Sequence, residues 1–466
     1  MKVIKIIIVG IIVAIISMRH VVGQDLLIYN VHVIDVEKGI LSENQDILIE
    51  NGMIVRMAKT KKRRKLKYAG KVIDGTGKYL SPGFIETHVH QTMGPADLSF
   101  VNRKPTLRLN PSDSLPEISA KLLLEHGITT ARDPGGKTEL TVRAKSDIES
   151  GKLLGPEFFV AGDILDTLEF INLTVKVTNE DEVRNEILLQ KESGVDFIKL
   201  YTSLTPDLLG FAINESQNLG LKTIAHLHTT SWTEASELGV DNIVHIVPAH
   251  ERYLPEMHRD DYRRAAMMGA IGFYKWFEYV DLGSQEISEL IQTLKTNHTS
   301  IDPTLVVFHA TFFGNTPKYT SNAMLDKLPK ELVENWKTTF NFNIGWSEQH
   351  FTEAQRAWPK VQQFVKKLHD GGVLLTAGTD SNNPWIVPGD SFHDELALLK
   401  DCELTHAEVL RIATLNGAEM LGIDHRTGTI EIGKEADLVL LNANPLEDIR
   451  HSRDIHIVLS NGMVIE

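Results

Sequence analysis

The sequence predicts an α/β protein: a (β/α)8 TIM-like barrel joined to a smaller β domain that both chain ends build. Between residues 81 and 423, short apolar runs alternate with amphipathic helical stretches, as in parallel strands connected by helices. Before and after this region the pattern changes to short strands separated by turns. Eight strands alternating with helices over roughly 300 residues favour a closed barrel over an open sheet.

The two end regions are residues 24–80 and residues 424–466. In the first, apolar residues surround Asn-Gly and Gly-x-Gly turns in the segments LLIYNVHVID, DILIENGMIVRMA and KVIDGTGKYL. In the second, the pattern returns in GTIEIGKEADLVLLNA and HIVLSNGMVIE. We therefore expect the two ends to build one small sheet domain together.

The central region contains eight candidate strands. They are residues 84–88, 128–132, 158–161, 196–201, 222–226, 242–246, 301–308 and 373–379. Residues 269–276 form a doubtful additional strand. The helical stretches include residues 115–126, 180–193, 205–219 and 405–421. Gly127, Gly194 and Gly220 follow the first three and are typical helix ends.

A long insertion at about residues 310–365 separates the last two candidate strands. It is aromatic and mostly helical in pattern, with Phe312, Phe313, Trp336, Phe340, Phe342, Trp346 and Trp358. Loops of this length are usually functional. One hypothesis is a cap over the mouth of a site in the barrel. The other is an insertion that serves packing or the contacts of a homo-oligomer.

The acidic balance of the chain argues against a nucleic-acid partner. The formal net charge is −14, and an acidic surface disfavours binding to nucleic-acid phosphates. The basic run at residues 59–67 is better explained as a solvated hairpin tip than as a nucleic-acid or membrane patch. We therefore expect no nucleic-acid partner.

The N-terminus has the features of a secretory signal peptide covering residues 1–23. Lys2 and Lys5 precede an apolar run at residues 6–16, shorter than the about 20 residues that span a bilayer. We expect cleavage near Gly23, a periplasmic or secreted mature protein and no membrane span in it. An uncleaved anchor is the alternative. The single cysteine, Cys402, cannot form an internal disulfide.

The segment GFIETHVH, residues 83–90, carries the first candidate site residues. His88 and His90 are two residues apart, so they share one face of a strand and could chelate a metal or be satisfied polar residues. The further candidates follow or end later apolar runs: Lys199, His226, His228, His245 and Asp380. In a barrel the strand ends converge on one mouth, and imidazole with carboxylate is a donor set that suits zinc.

Lys199 requires a separate argument, because a protonated amine cannot bind a cation. It lies in DFIKLY, where apolar neighbours should desolvate it and lower its pKa. The neutral amine could then capture carbon dioxide. The resulting carbamate is an anion that could bridge two metal ions.

These motifs together resemble the amidohydrolase superfamily, in particular its imidazolonepropionase-like and prolidase-like branch. The resemblance covers nearly all of the chain after the signal and is carried by SPGFIETHVH, GITTARDPGG, VDFIKLY, GLKTIAHLH, LGVDNIVHI, TAGTDS, ATLNGAEMLGI and GTIEIGKEADLVLLNANPLEDI. It implies a metal-dependent hydrolase barrel at residues 81–423 with a β-sandwich made from residues 24–80 and 424–466.

The resemblance also implies roles for individual residues. His88, His90 and Asp380 would hold one divalent ion, and His226 with His245 a second. Zinc is the expected metal, and carbamylated Lys199 would bridge the two ions. His226 rather than His228 is chosen because it matches the family's histidine when counted back from the Gly-Val-Asp-Asn segment.

Two departures from the family pattern affect the substrate more than the ligands. Glu86 stands where the family commonly has Asp, and Val244-His245-Ile246 stands where it often has Glu-His-Gly. Both changes lie next to candidate ligands rather than at them. The ligand set therefore transfers from the family more safely than the substrate does.

The resulting hypothesis is hydrolysis of an amide or peptide C–N bond in a dipeptide, an N-acyl amino acid or a cyclic amide. A hydroxide held by the metals would attack, and Asp380 would move its proton to the leaving amine. Tyr201, Arg132 and His228 could contact substrate, with structural roles as the alternative. The rival functions are a mononuclear imidazolonepropionase-like or deaminase-type hydrolase, and a catalytically dead binding module. The complete ligand set favours catalysis.

Overall fold

The computed structural model describes residues 25–61, 70–101 and 104–465. Its strands are β1 Leu26–Asp35, β2 Ile40–Glu50, β3 Met53–Lys59, β4 Lys71–Asp74, β5 Tyr79–Pro82, β6 Phe84–Glu86, β7 Ala96–Val101, β8 Lys104–Leu109, β9 Ile128–Asp133, β10 Glu157–Val160, β11 Ile164–Asp166, β12 Thr174–Lys176, β13 Phe197–Leu200, β14 Lys222–Ala225, β15 Asn242–Val244, β16 Ser300–Asp302, β17 Leu438–Leu441, β18 Ile455–Ser460 and β19 Met463–Ile465. The predicted signal peptide and most of the basic run at residues 59–67 lie outside the described residues.

The helices connect and cover these strands. They are α1 Leu115–Glu125, α2 Thr138–Glu149, α3 Glu180–Ser193, α4 Pro206–Asn218, α5 Trp232–Glu237, α6 Glu256–Ala266, α7 Ile271–Tyr279, α8 Gln285–Thr296, α9 Leu305–Phe312, α10 Pro317–Thr320, α11 Lys330–Thr338, α12 Glu348–Asp370, α13 Asp390–Asp401, α14 His406–Arg411 and α15 Gly417–Leu421. Among the described helices, none combines the length and the apolarity needed to cross a membrane.

Both ends of the chain contribute to one eight-stranded sheet. Its order is β19-β18-β17-β5-β1-β2-β3, with β4 pairing β1 beside that path. The long strand β1 pairs first with β4 and then with β5, and the change of partner falls at a register irregularity around Asn30, which has a φ of 55°. Residues such as Ile28, Ile47 and Leu438 form a core of their own beneath this sheet. The division into domains at residues 80 and 423 stays a prediction.

The central strands are parallel and alternate with helices, which confirms the predicted α/β class. One ladder joins β6, β9 and β10, and another joins β12, β11, β13, β14, β15 and β16 in that order. Isolated parallel bridges join Ala161 to Phe197, Ile301 to Leu375 and Val89 to Ser381. Within the described residues the ladders therefore remain two sheets that these bridges link, and no continuous closed barrel is defined.

The predicted strand at residues 301–308 is wrong in its second half. The strand β16 ends at Asp302, and α9 begins at Leu305. Thr304 interrupts the extended chain with a φ of 46°, and the Glu395 carboxylate accepts the first helical N–H groups, from Leu305 at 3.0 Å and Val306 at 2.7 Å. An unbroken apolar run does not distinguish a buried strand from a buried helix.

Two other expected strands also differ from the structure. Residues 269–276 fall mostly in helix α7, and residues 373–379 form no ladder and contribute one bridge, at Leu375. The helix predicted at residues 180–193 coincides with α3, which ends at Gly194 in the left-handed conformation, with a φ of 98°. Helix boundaries were predictable here because a capping side chain, Asn179, and a terminal glycine mark both ends.

The insertion and the β7–β8 hairpin lie together at the mouth of the central strands. Trp336 and Trp358 of the insertion are buried in the main core, which fits a packing role. The Asn335 side chain pairs with both backbone groups of Ala96, accepting from its N–H at 3.0 Å and donating to its carbonyl at 2.9 Å. The insertion and the hairpin are therefore joined to each other.

Candidate metal centre

Three side chains meet on the floor of a cavity at the ends of the central strands. The Nε2 atoms of His88 and His90 lie 3.3 and 3.1 Å from Oδ1 of Asp380. One ligand atom from each residue lies within 4.8 Å of the others, and all three residues are buried. In the part of the chain that the structure describes, this is the one group of three with such geometry. Two imidazole nitrogens and a carboxylate oxygen at this spacing fit a divalent ion of the zinc type.

Protein contacts orient both imidazoles of this group. Nδ1 of His90 donates to the carbonyl of Gly135 at 2.8 Å, and Nδ1 of His88 lies 3.2 Å from Oδ2 of Asp302. Such contacts fix the tautomer and leave Nε2 free for a metal. Burial acts to raise the pKa of Asp380, but the charges and hydrogen bonds of the two histidines hold it well below its usual range. The carboxylate is therefore ionised.

Two further imidazoles extend the site. The ring centroids of His88 and His245 are 5.1 Å apart, and those of His245 and His226 are 4.4 Å apart. Nδ1 of His245 lies 2.8 Å from Oγ1 of Thr304, which leaves Nε2 for a ligand. Burial holds the pKa of both His226 and His245 well below the usual value. Both are thus neutral, which is the form that binds metals.

The backbone is strained at two candidate ligands and at a residue that supports one of them. His245, Asp380 and Thr304 have φ angles of 72°, 62° and 46°. Non-glycine residues rarely adopt this region, at a cost of about 1–3 kcal/mol each. Such strain persists where the surrounding structure over-determines a functional geometry. Here it occurs where the chain turns out of the strand ends.

Lys199 is the third residue of β13 and is 2% exposed. Burial, and secondarily the charge of Arg132, lower its pKa to about 7. The amine is therefore much more readily deprotonated at neutral pH than that of an exposed lysine. The desolvation expected from the apolar neighbours in DFIKLY is present, because all four residues of the strand are buried.

Two buried carboxylates support the ligands, and one of them was missed from the sequence. Asp302, at the end of β16, accepts from His88 and also from the Thr87 hydroxyl at 3.2 Å. Glu86 accepts the backbone N–H groups of His88 at 3.1 Å and Thr379 at 2.9 Å, so it ties together the two segments that carry the ligands. A carboxylate that closes an apolar strand, as in Ser-Ile-Asp, was the available signal for Asp302.

The other sequence candidates occupy different positions. Tyr201 lines the cavity, edge-on to His226 at 5.0 Å. Arg132 is fully buried outside the cavity lining, where Nε donates to the carbonyl of Thr87 at 2.7 Å and Nη2 to Oδ1 of Asn242 at 2.8 Å. The ring of His228 packs against that of His226, with 5.0 Å between the ring centroids, but His228 is exposed and does not line the cavity.

The cavity above these residues has a volume of about 810 Å³, including its open mouth. Its lining includes His88, His90, Lys199, His226, His245 and Asp380. The structure therefore brings all six predicted ligands to one cavity. The insertion contributes to its wall through Phe340 and Phe342, and the hairpin through Leu107 and Leu109.

The comparisons with known proteins identify the family. The family model described as "Amidohydrolase family" matches residues 79–465. The chain belongs to the amidohydrolase family. The predicted recognition and the predicted enzyme class, a metal-dependent hydrolase acting on carbon–nitrogen bonds, are confirmed at this level.

Individual relatives of this amidohydrolase have different substrates. This chain is 24% identical to a 5-methylthioadenosine/S-adenosylhomocysteine deaminase of Dictyoglomus turgidum, over 93% of this chain and 89% of the relative. It is 31% identical to an imidazolonepropionase of Thermoplasma acidophilum, but over only 22% of this chain and 25% of the relative. A solved Xaa-Pro dipeptidase with bound methionine shares the fold, with a TM-score of 0.69 at 19% identity over 95% of this chain and all of that one.

Proposed function

We propose that this amidohydrolase binds two divalent metal ions, with zinc as the expected metal, and hydrolyses an amide bond in a small substrate. The observation that carries this proposal is the cavity floor, where the His88, His90 and Asp380 group adjoins buried Lys199. His226 and His245 complete the donor set for a second ion. Carbamylation of Lys199 would convert it from a cation into a bridging anion.

The donor atoms fit this pair of ions. His88, His90 and His245 each use Nδ1 for a protein contact and keep Nε2 for the cavity. When bound, the ions would supply Lewis acidity and lower the pKa of water toward about 7. A lysine with a pKa of about 7 is reactive toward carbon dioxide, since much of it is unprotonated at neutral pH.

The protein's own residues would handle the proton. Asp380 is ionised and lines the cavity, so it can accept a proton from the attacking water and return it to the leaving nitrogen. The Tyr201 hydroxyl stays protonated, because burial raises its pKa, and can donate to the developing oxyanion. The C–N bond breaks, water is added, and an acid and an amine leave.

Metal counting combined with a substrate panel tests the proposal. We expect two ions per chain, loss of one ion in Lys199→Ala, and hydrolysis of at least one compound among dipeptides, N-acyl amino acids, neutral amides and lactams. A metal-loaded protein that hydrolyses none of them would contradict it.

A mononuclear hydrolase of the deaminase or imidazolonepropionase type is the second candidate function. It is favoured by the tight group of three residues, His88, His90 and Asp380, within the described residues, and by the deaminase relative that covers most of the chain. One ion per chain, unchanged in Lys199→Ala, together with ammonia release from an aminopurine nucleoside, would decide for it.

Two structural proposals accompany the activity. The bridges at Val89, Phe197 and Leu375 support closure of the central strands into a (β/α)8 barrel. We also propose export with cleavage near Gly23. Intact-mass measurement of the mature protein tests export: the expected chain starts at Gln24, and a retained leader would contradict cleavage.

A further inference from the structure

The cavity wall above the metal-ligand floor is mostly apolar among the described residues, and its polar groups are the hydroxyls of Tyr201 and Thr311 and the amide of Asn383. The hairpin contributes Leu107 and Leu109, helices α7 and α9 contribute Phe273 and Phe308, and the insertion contributes Phe340 and Phe342. A substrate group that fills this space exchanges water for aliphatic and aromatic side chains. The wall therefore favours the binding of an apolar substrate group.

The same wall offers little to an anion. Lys199 is the one lysine or arginine among the described lining residues, and the proposed function uses it as a metal-bridging group. The other cationic candidate, Arg132, lies outside the cavity lining and already donates to Thr87 and Asn242. A substrate carboxylate placed against the aliphatic and phenylalanine side chains of this wall would lose its hydration, and the described lining offers it neutral donors but no cation beyond Lys199.

We propose that this site selects an uncharged amide whose acyl or amine part is aromatic or branched aliphatic, and disfavours substrates with a free carboxylate. The inference rests on the proposed amide hydrolysis and narrows it. Of the three substrate classes that the sequence leaves open, it favours the cyclic amide and extends the choice to neutral linear amides. It disfavours dipeptides and N-acyl amino acids.

A matched pair of substrates tests the charge preference. N-hexanoyl-L-phenylalanine and N-hexanoyl-2-phenylethylamine differ only in the carboxylate, and hydrolysis of either adds water and releases hexanoate and an amine. With the metal-loaded enzyme we expect kcat/KM to be at least about 10-fold higher for the uncharged compound. Equal or faster hydrolysis of the carboxylate would overturn the inference but leave amide hydrolysis intact.

Hydrolysis of neither compound would count against the proposed function instead. Calorimetric binding of the same two compounds to the same metal-loaded protein then still decides the inference. Tighter binding of the uncharged compound supports it. Equal binding, tighter binding of the carboxylate, or no binding of either overturns it.

Two variants locate the preference in the wall. Phe342→Arg places a cation there and should reduce the uncharged-to-charged ratio at least about 5-fold, whereas Phe342→Met should retain it. Arg108 is exposed on β8 and does not line the cavity, so Arg108→Gln serves as a control and should leave the ratio unchanged. If Phe342→Arg leaves the ratio unchanged while Arg108→Gln shifts it, charge selection lies outside the cavity wall, and the assignment to the wall is overturned.

Discussion

The floor and the roof of the cavity are built in opposite ways. The floor consists of strand ends whose polar side chains are buried and fixed by protein contacts. Nδ1 of His88 contacts the Asp302 carboxylate, for example, and Nδ1 of His90 donates to the carbonyl of Gly135. The roof consists of the β7–β8 hairpin and the insertion, which present half-buried Leu107, Phe340 and Phe342. We therefore expect the chemistry to depend on the floor and the choice of substrate on the attached segments, as where loops carry specificity on a fixed scaffold.

The largest expected effect comes from removing the ionised carboxylate of the floor. Asp380→Asn should lower kcat/KM by about 10³-fold, because proton transfer and one metal ligand are both lost. Steady-state kinetics with parallel metal analysis measures it. Asp394→Asn, which removes a surface partner of Arg453, is the matched control and should retain activity. Full metal-dependent activity in Asp380→Asn would refute the general-base role.

The next effect separates support of a ligand from ligation itself. Asp302→Asn should weaken metal affinity about 10- to 100-fold, because His88 loses the carboxylate that orients its ring. Chelator competition measures this affinity. Glu395→Gln changes another buried carboxylate, one that holds helix α9 rather than an imidazole, and should leave metal affinity unchanged. Equal metal affinities in the natural protein, Asp302→Asn and Glu395→Gln would show that Asp302 is only a packing group.

A smaller effect is expected when the roof is loosened. Asn335→Ala removes both hydrogen bonds to Ala96, a loss of about 1–3 kcal/mol that should detach the hairpin from the insertion. We expect KM to rise several-fold with little change in kcat. Asn341→Ala breaks a bond to Trp336 within the insertion and is the control. If kcat falls and KM does not rise, the roof takes part in the chemistry, and the division between a catalytic floor and a substrate-selecting roof is wrong.

The smallest effect concerns stability and its pH dependence at Asp437, which directly precedes β17 of the eight-stranded sheet. Burial raises the pKa of Asp437 to about 7, while Oδ1 accepts from the N–H of Asn461 at 2.7 Å. The folded state therefore holds this proton more tightly than the unfolded state, so the stabilising contribution of Asp437 is lost as pH rises from about 4 to about 7.

Asp437→Asn removes this pH dependence. Its stability relative to the natural protein should rise by about 2 kcal/mol between pH 5 and pH 8. Denaturant unfolding at both pH values, with activity measured alongside, checks the shift and its independence from the floor. Unfolding midpoints that differ by the same amount at both pH values would contradict it.

Much of the floor was predictable because its signals are local. A histidine pair two residues apart, a lysine inside FIKL and an aspartate closing an apolar run each indicate a strand end. Asp302 and Glu395 were harder to find, because their roles depend on partners such as His88 and Leu305 that are distant in sequence. The roof was predictable only as an insertion, since its aromatic composition does not distinguish Trp336, which is buried, from Phe342, which lines the cavity.

The sequence by itself determined the α/β class, the family and the six candidate ligands, because strand and helix periodicity and the motifs around each ligand are written in neighbouring residues. Only the tertiary structure decided that α9 replaces the end of a predicted strand, that Arg132 lies outside the cavity lining, and that an apolar roof covers a polar floor. Each of these features depends on which distant segment hydrogen-bonds to or packs against a given backbone or side-chain group. The local sequence pattern does not predict that partner.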